Sequence, residues 1–544
     1  MTNLLDVFAF STVILRGLTL SFQSLLIGGI SFRFLMWYRL RTAPRSEQLL
    51  QPMFLLMRIA ALALASVQIT FVGFSSAILM STAGFRLRDV MGADFFIAGI
   101  VSAVAALFFA RYATVKRGSL KREGLVLLLI LLSSVVTSHA WSRMDHRTLS
   151  IGLTLLHQLA AGLWIGALSF LLIALRHAQD ASLSSAIARA FSSMAASGVV
   201  MILVAGGGLG LLYMDSAKAF YGTSYGAMLG AKIWLLAGIL SVGALNFTLV
   251  RNLPGGTEAS IRRLRRLVEA EIGIGFTVIL AAASLGSQPP AVDLPTGRVS
   301  AYDLAQRFRP RLPRFRTPAL SELGKADEQV LKQQAEALGV PSSYIPGAPA
   351  LEPSTAGDIA WSEYNHHWAG MVVFLAGLLA LASRSGKARW AGNWPLLFLG
   401  LAVFLFLRAD AENWPLGPNG FWESFRVADV LQHRFFTLLI VGFAIFEWRI
   451  HSGRSNAAWM PYIFPAVCAL GGAVLLTHSH SLSNVKEETL IELSHIPIAV
   501  FAVFAGWARW LELRAGGADA KFLSWIWPLC FVAIGSTLML YREA

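Results

Sequence analysis

Cysteine is nearly absent. The 544-residue chain has two, Cys468 and Cys530, both inside long apolar runs, with no Cys-x-x-Cys and no Cys/His zinc spacing. This argues against a disulfide framework and a zinc module, and leaves both as small apolar core residues. Charge is also scarce. Asp, Glu, Lys and Arg make up 14% of the chain against 56% hydrophobic residues, and mean hydropathy is +0.60. A chain this large and this apolar does not fit the soluble class. No GxxxxGK[ST] phosphate loop or phosphorylatable Asp motif occurs, so ATP-driven transport is not expected. Nothing in the sequence calls for an enzyme. No basic residue precedes the first apolar run, so that run is expected to be a retained helix rather than a leader.

What the chain has in abundance is membrane-length apolar sequence. Runs of about twenty residues, each able to cross a core of about 30 Å, recur at 8–30, 53–80, 95–111, 124–139, 149–175, 191–213, 228–250, 268–286, 363–381, 394–407, 430–448, 462–478, 490–513 and 523–540. The expected fold is an all-α polytopic bundle of about fourteen transmembrane helices. It divides into a first bundle (1–286), a Pro-rich basic segment (287–362) and a second bundle (363–544). Within the middle segment only 320–338 reads as a short polar helix. The segment either caps the outer face or links two bundles.

The net charge of +14 marks topology rather than a nucleic-acid partner. Basic residues gather in alternate loops, for example Arg111, Lys116, Arg117, Lys121 and Arg122, then Arg251, Arg262, Arg263, Arg265 and Arg266. The positive-inside rule makes these loops cytoplasmic and places both termini outside. The basic 287–362 segment is long enough to be exempt from that rule.

On this topology the eleven histidines are one-sided. All but His177 and His451 fall at, or one to two turns inside, the outer face. Imidazole is a common metal ligand and a poor lipid-facing group. The first bundle offers His139, His146 and His157 with Met144, Met214 and Met228, a donor set suited to copper. Core packing is the alternative for each. The second bundle offers His366, His367, His433, His478, His480 and His495 from four helix ends, with Glu363, Glu487, Glu488 and Glu492 as possible acceptors for imidazole N–H groups. His366 and His367 sit about 100° apart and could both border one interior, whereas a helical His478 and His480 could not share a face. Asp410, Glu412 and the 414–417 Trp-Pro-Leu-Gly turn suggest an ordered outer lid. Gly162/Gly166 and Gly206/Gly210 are GxxxG pairs expected at close helix contacts.

Three stretches within 149–290 resemble the copper resistance protein D (CopD) family. They are LHQLAAGLWIGALSFLL, TSYGAMLGAKIWLLAGILSVGALNF and RRLVEAEIGIGFTVILAAASLGSQPP. The likeness rests on His157, Trp164 and Gly166, then Thr223, Tyr225, Gly226, Lys232 and Asn246, then Glu271, Pro289 and Pro290. It implies a bacterial inner-membrane protein that moves or handles copper, often beside a separate CopC-like periplasmic copper-binding protein. Read physically, Lys232 could snorkel to the surface. Asn246 and Glu271 could meet across one hairpin or serve ion passage. The leading expectation is copper uptake from the periplasmic face, contributing to homeostasis or resistance. The alternatives are a b-type haem redox protein using paired histidines, or a copper-insertion factor for an oxidase. Against haem, most of these histidines lie close to helix ends.

Overall fold

The computed structural model describes residues 2–39, 47–112, 119–252, 257–318, 356–386, 388–410, 413–417, 419–424, 428–454, 457–477 and 485–543. The 320–338 segment, Glu412, His478 and His480 lie outside them, as do the side chains of Glu487 and Glu488. Among the described residues the chain is helical throughout, with one isolated bridge between Asn413 and Asn419 and no strands.

The first half comprises α1 (Thr2–Arg39), α2 (Glu47–Thr82), α3 (Asp94–Tyr112), α4 (Leu120–Val136), α5 (Arg147–His177), α6 (Ala181–Tyr213), α7 (Ser224–Arg251) and α8 (Glu258–Leu285). The second comprises α9 (Ala356–Arg384), α10 (Leu397–Arg408), α11 (Ala428–His451), α12 (Ile463–Leu475), α13 (Val485–Arg514) and α14 (Gly517–Met539). Eleven helices among the described residues are long and apolar enough to cross a membrane. The other three expected crossings coincide with α4, of 17 residues, with α11, and with the short apolar helix Met460–Leu475. Helix α9 starts at Ala356, about two turns before the apolar run itself.

Small residues set the closest packing. A Cβ on Gly166 would fall on the Ser24 carbonyl of α1, and one on Gly162 would strike Ile27. This GxxxG pair therefore brings α5 against α1. Gly206 faces His157 instead, and Gly210 faces open space. Residues Gly162–Gly166 form a π-helical turn inside α5, a local widening of the kind often found at functional sites.

Two hydrophobic cores result. Leu26, Met57, Trp164, Phe170 and Ile239 belong to the first, which also takes Ala499 and Val503 of α13. Trp394, Phe464, Trp527 and Phe531 centre the second, an aromatic cluster with ring centres 5.3–6.0 Å apart. Helix α13 thus packs against both halves. Its Trp507 and Phe504 rings lie where side chains on Gly273 and Gly238 would project.

Ion pairs tie the helix ends. At the end rich in basic residues, Arg33 meets Glu123, and Glu269 accepts from both Arg176 and Arg514 at 2.7–2.8 Å. A buried set at the same end joins Glu447, Arg509, Glu512 and Arg384, with His451 3.3 Å from Glu447. The histidine-bearing end is crossed by residues 287–318. Asp293 pairs with Arg143, Arg298 forks onto Asp215, and Val299 N–H donates to the Gly222 carbonyl. Ser300 caps the short helix Ala301–Arg307, whose Asp303 meets Lys486 at 2.9 Å. The Ser300 hydroxyl and then Lys486 hold the Asp303 carboxyl down to about 2. Farther on, the Arg314 N–H donates to His367 Nδ1 at 2.7 Å, and Trp368 donates to the Phe315 carbonyl. This stretch therefore both covers the helix ends and links the two halves.

Candidate functional site

A line of polar side chains runs down the seam between α5, α7 and α8. Helix α7 begins at Thr223, whose hydroxyl oxygen accepts from Gly226 N–H at 3.0 Å. Position 226 must be glycine, because a Cβ there would fall on the Ala219 carbonyl. That turn fixes the register of α7 and so of Lys232, about 12 Å along the helix. The Lys232 amine does not reach for the surface. It lies 3.3 Å from His157 Nε2, which corrects the expectation of a snorkelling anchor. The other ring nitrogen, Nδ1, is buried with no well-formed hydrogen bond. Gly206 of α6 leaves room against the ring, since a Cβ there would sit 3.2 Å from Cε1.

Two turns farther along α5, on the same face, Trp164 donates its indole N–H to Glu271 Oε1 at 2.7 Å. Asn246 of α7 donates to Oε2 of the same carboxyl at 2.5 Å. Glu271 is 3% exposed, deep within α8. A carboxyl group this deep in apolar surroundings is costly unless its oxygens are paired, and neutral donors from two other helices pair them both. Gly243 keeps the space beside Glu271 and Trp164 clear. Sequence reasoning brought Asn246 and Glu271 together through their shared hairpin. It gave no sign that Trp164 completes the group.

The remaining candidates of the first bundle are scattered. His146 is exposed at the start of α5 with φ of 50°, and Met144 is 88% exposed. His139 lies against the backbone of Gly286 and Gln288, beside Arg16. Met214 ends α6 half-buried, whereas Met228 is packed in the core at 2% exposure. Among the described residues no three His, Cys, Asp or Glu side chains gather as a ligand set. The expected three-histidine cluster is not assembled; His157 alone of that set enters the buried seam.

The second bundle sorts its histidines more sharply. His366 of α9 and His495 of α13 face each other with ring centres 6.2 Å apart. The ring of Tyr541, just beyond α14, stacks on His366 at 4.0 Å. Neighbouring His367 does not share that space. Its Nε2 meets the Tyr541 carbonyl at 2.9 Å and its Nδ1 accepts from Arg314 N–H, so both nitrogens are engaged. His433 stands apart, half exposed, 2.7 Å from Asp410. Glu363 pairs with Arg314 and Arg542, and Glu492 accepts from Gln288. The 414–417 turn is held by Arg434, which donates to the carbonyls of Phe406 and Trp414. Sequence reasoning missed Tyr541, Glu543 and Ser362. The polar Tyr-Arg-Glu run directly after the last apolar stretch was the available signal.

Residues 185–285, which contain Lys232, Asn246 and Glu271, match the copper resistance protein D family. This segment carries a likeness to the CopD family. A relative, the copper transport protein CutJ of Bacillus subtilis (strain 168), is 30% identical over 185 residues, which is 32% of this chain and 32% of that protein. The chain thus spans about a third of the length of this curated relative. No solved structure matches it. With its apolar helices, the CopD match makes this a copper-related, multi-pass membrane protein.

Proposed function

We propose that this CopD-like protein carries copper ions across a bacterial inner membrane from the periplasmic face, contributing to copper homeostasis or resistance. The observation that carries the reading is the buried polar seam. Five polar side chains line the contact of three membrane-length helices, and three of them lie within the family-matched residues. In this reading His157 is the first ligand of the moving ion. Copper and the Lys232 amine compete for one lone pair on Nε2, since two cations about 3 Å apart repel strongly in so apolar a setting. Copper therefore displaces Lys232 as it arrives, and the lysine can push the ion onward. The Trp164–Glu271–Asn246 group is the next polar station, about 10 Å farther along α5. A separate CopC-like periplasmic protein is the proposed donor.

The geometry of the second bundle weighs against haem b. A macrocycle ligated by both His366 and His495 would lie across the line joining them. The Tyr541 ring, 4.0 Å from one imidazole and 5.7 Å from the other, occupies that space. An oxidase copper-insertion factor would use the same ligands but would not move copper across a bilayer. Cellular copper accumulation at equal expression tests the proposal. His157→Ala and Glu271→Gln are expected to reduce accumulation several-fold. His177→Ala, exposed at the opposite end and bonded to the Ile173 carbonyl of its own helix, should match wild type. Equal accumulation in all three would contradict the seam as the path.

A further inference from the structure

The mouth of the seam is built in two layers, which three helices hold in register. In the inner layer His157 of α5 meets Lys232 of α7 at 3.3 Å, and Gly206 of α6 leaves room against the imidazole ring. A helix returns to nearly the same face after seven residues, about 10 Å along its axis. Seven residues toward the histidine-bearing end, α6 carries Tyr213, α7 carries Tyr225 and α5 carries Ser150. The two tyrosine rings meet edge to face with centres 6.2 Å apart, and the Tyr213 hydroxyl stands beside Ser150 and Thr154. Both tyrosines are 6% exposed. This aromatic pair therefore bridges all three helices directly above the imidazole and the amine.

A strap, residues 291–299, is fastened beside the near end of each of the same helices. Ahead of α5, Arg143 donates to both oxygens of Asp293 at 2.9 and 3.0 Å, and its guanidinium lies over the Tyr213 ring at 5.7 Å. Just after α6, Asp215 accepts two bonds from Arg298 at 2.7 and 3.0 Å. Just before α7, the Gly222 carbonyl accepts from Val299 N–H at 3.1 Å. Arg298 also donates to the Ala291 and Leu294 carbonyls, which stiffens the strap between its two ion pairs. The Asp293 and Asp215 side chains are 47% and 42% exposed, and ion pairs this open to water are weak and screened by salt. Such a fastening holds a closed form without locking it. We propose that Tyr213 and Tyr225 are the gate of the seam and that the strap is its latch. Release of Arg143 from Asp293 and of Arg298 from Asp215 lets the two rings part and opens His157 to water. That the ion admitted is copper rests on the transport reading above; the closure itself does not.

The test is the rate at which the full-length His157→Cys variant, with Cys468→Ala and Cys530→Ala, reacts in spheroplasts with a membrane-impermeant methanethiosulfonate. This readout probes the inner layer and needs no metal. Asp215→Asn with Asp293→Asn keeps the side-chain shapes but removes both ion pairs, and should speed labelling several-fold. Tyr213→Ala with Tyr225→Ala should speed it further. Adding Asp293→Arg to Arg143→Asp restores an ion pair of reversed polarity and should slow labelling relative to Arg143→Asp alone. Because removing two rings could loosen the whole bundle, the same latch and gate changes are also made with His157, Cys468 and Cys530 intact. Those two cysteines should stay unreactive; their labelling would mark general loosening and overturn the gate. So would one labelling rate shared by the parent, the asparagine pair and the tyrosine pair at unchanged elution volume. If labelling responds as expected while wild type moves no copper, the gate stands and the transport reading fails. If copper crosses and labelling is the same in every variant, the gate fails and the transport reading stands.

Discussion

Replacing Trp164 with phenylalanine removes one N–H and little else, which makes the Glu271 group unusually open to measurement. The lost bond, 2.7 Å from indole Nε1 to Oε1, leaves Asn246 as the remaining donor to a carboxyl 3% exposed. A hydrogen bond to a charged group contributes about 1.5–3 kcal/mol. Polar contacts between membrane helices average about 0.6 kcal/mol and reach about 1.7. The expected coupling between Trp164 and Glu271 lies where these ranges meet, about 1–2 kcal/mol. It should be measured as a double-mutant cycle of Trp164→Phe and Glu271→Gln, because the single change also alters packing and only the cycle isolates the pair. Reversible unfolding in mixed micelles can be followed by fluorescence, since most of the sixteen tryptophans remain. A coupling below about 0.3 kcal/mol, with Trp164→Phe as stable as wild type, would refute the bond as a stabilising element of the seam.

Other consequences follow from named contacts. Gly166→Ala places a methyl group on the Ser24 carbonyl and should lower stability by about 1–3 kcal/mol, whereas Gly210→Ala, facing open space, should not; equal unfolding midpoints would count against the α1–α5 contact. Cysteine at Leu312, 93% exposed on the 287–318 stretch, should react with a membrane-impermeant thiol reagent in intact spheroplasts lacking Cys468 and Cys530. Labelling only after lysis would reverse the proposed orientation. The His451→Ala variant removes the imidazole bonded to the Glu447 carbonyl one turn back, beside the buried Glu447–Arg509 pair. It should therefore destabilise the fold by about 1–3 kcal/mol, while His177→Ala stays within about 0.5 kcal/mol of wild type.

The apolar runs located the long helices because span length is a one-dimensional property of the chain. The hairpin contact of Asn246 and Glu271 was legible for the same reason: both lie near one turn. Contacts between distant helices were not. Nothing in the spacing of His157 and Lys232, 75 residues apart, brings an amine to an imidazole. Periodicity placed His366 and His367 alike at the border of an interior. The backbone of Arg314 and Tyr541 decides between them by engaging both nitrogens of His367. The one-sided crowd of histidines pointed to a face of the molecule. It could not say that His433 pairs with Asp410, that His139 rests on the end of α8, or that Met228 is core. Those outcomes depend on tertiary packing, which local pattern does not encode.

The central claim is transfer of copper across a bilayer through the α5–α7–α8 seam. Its most direct test is copper(I) flux into liposomes containing the purified protein, read by a copper-sensitive dye sealed inside. Wild type is predicted to fill the lumen well above the protein-free rate, with His157→Ala and Glu271→Gln falling back to that rate. Flux through wild type no faster than through empty liposomes, or equally fast through both variants, would contradict the claim.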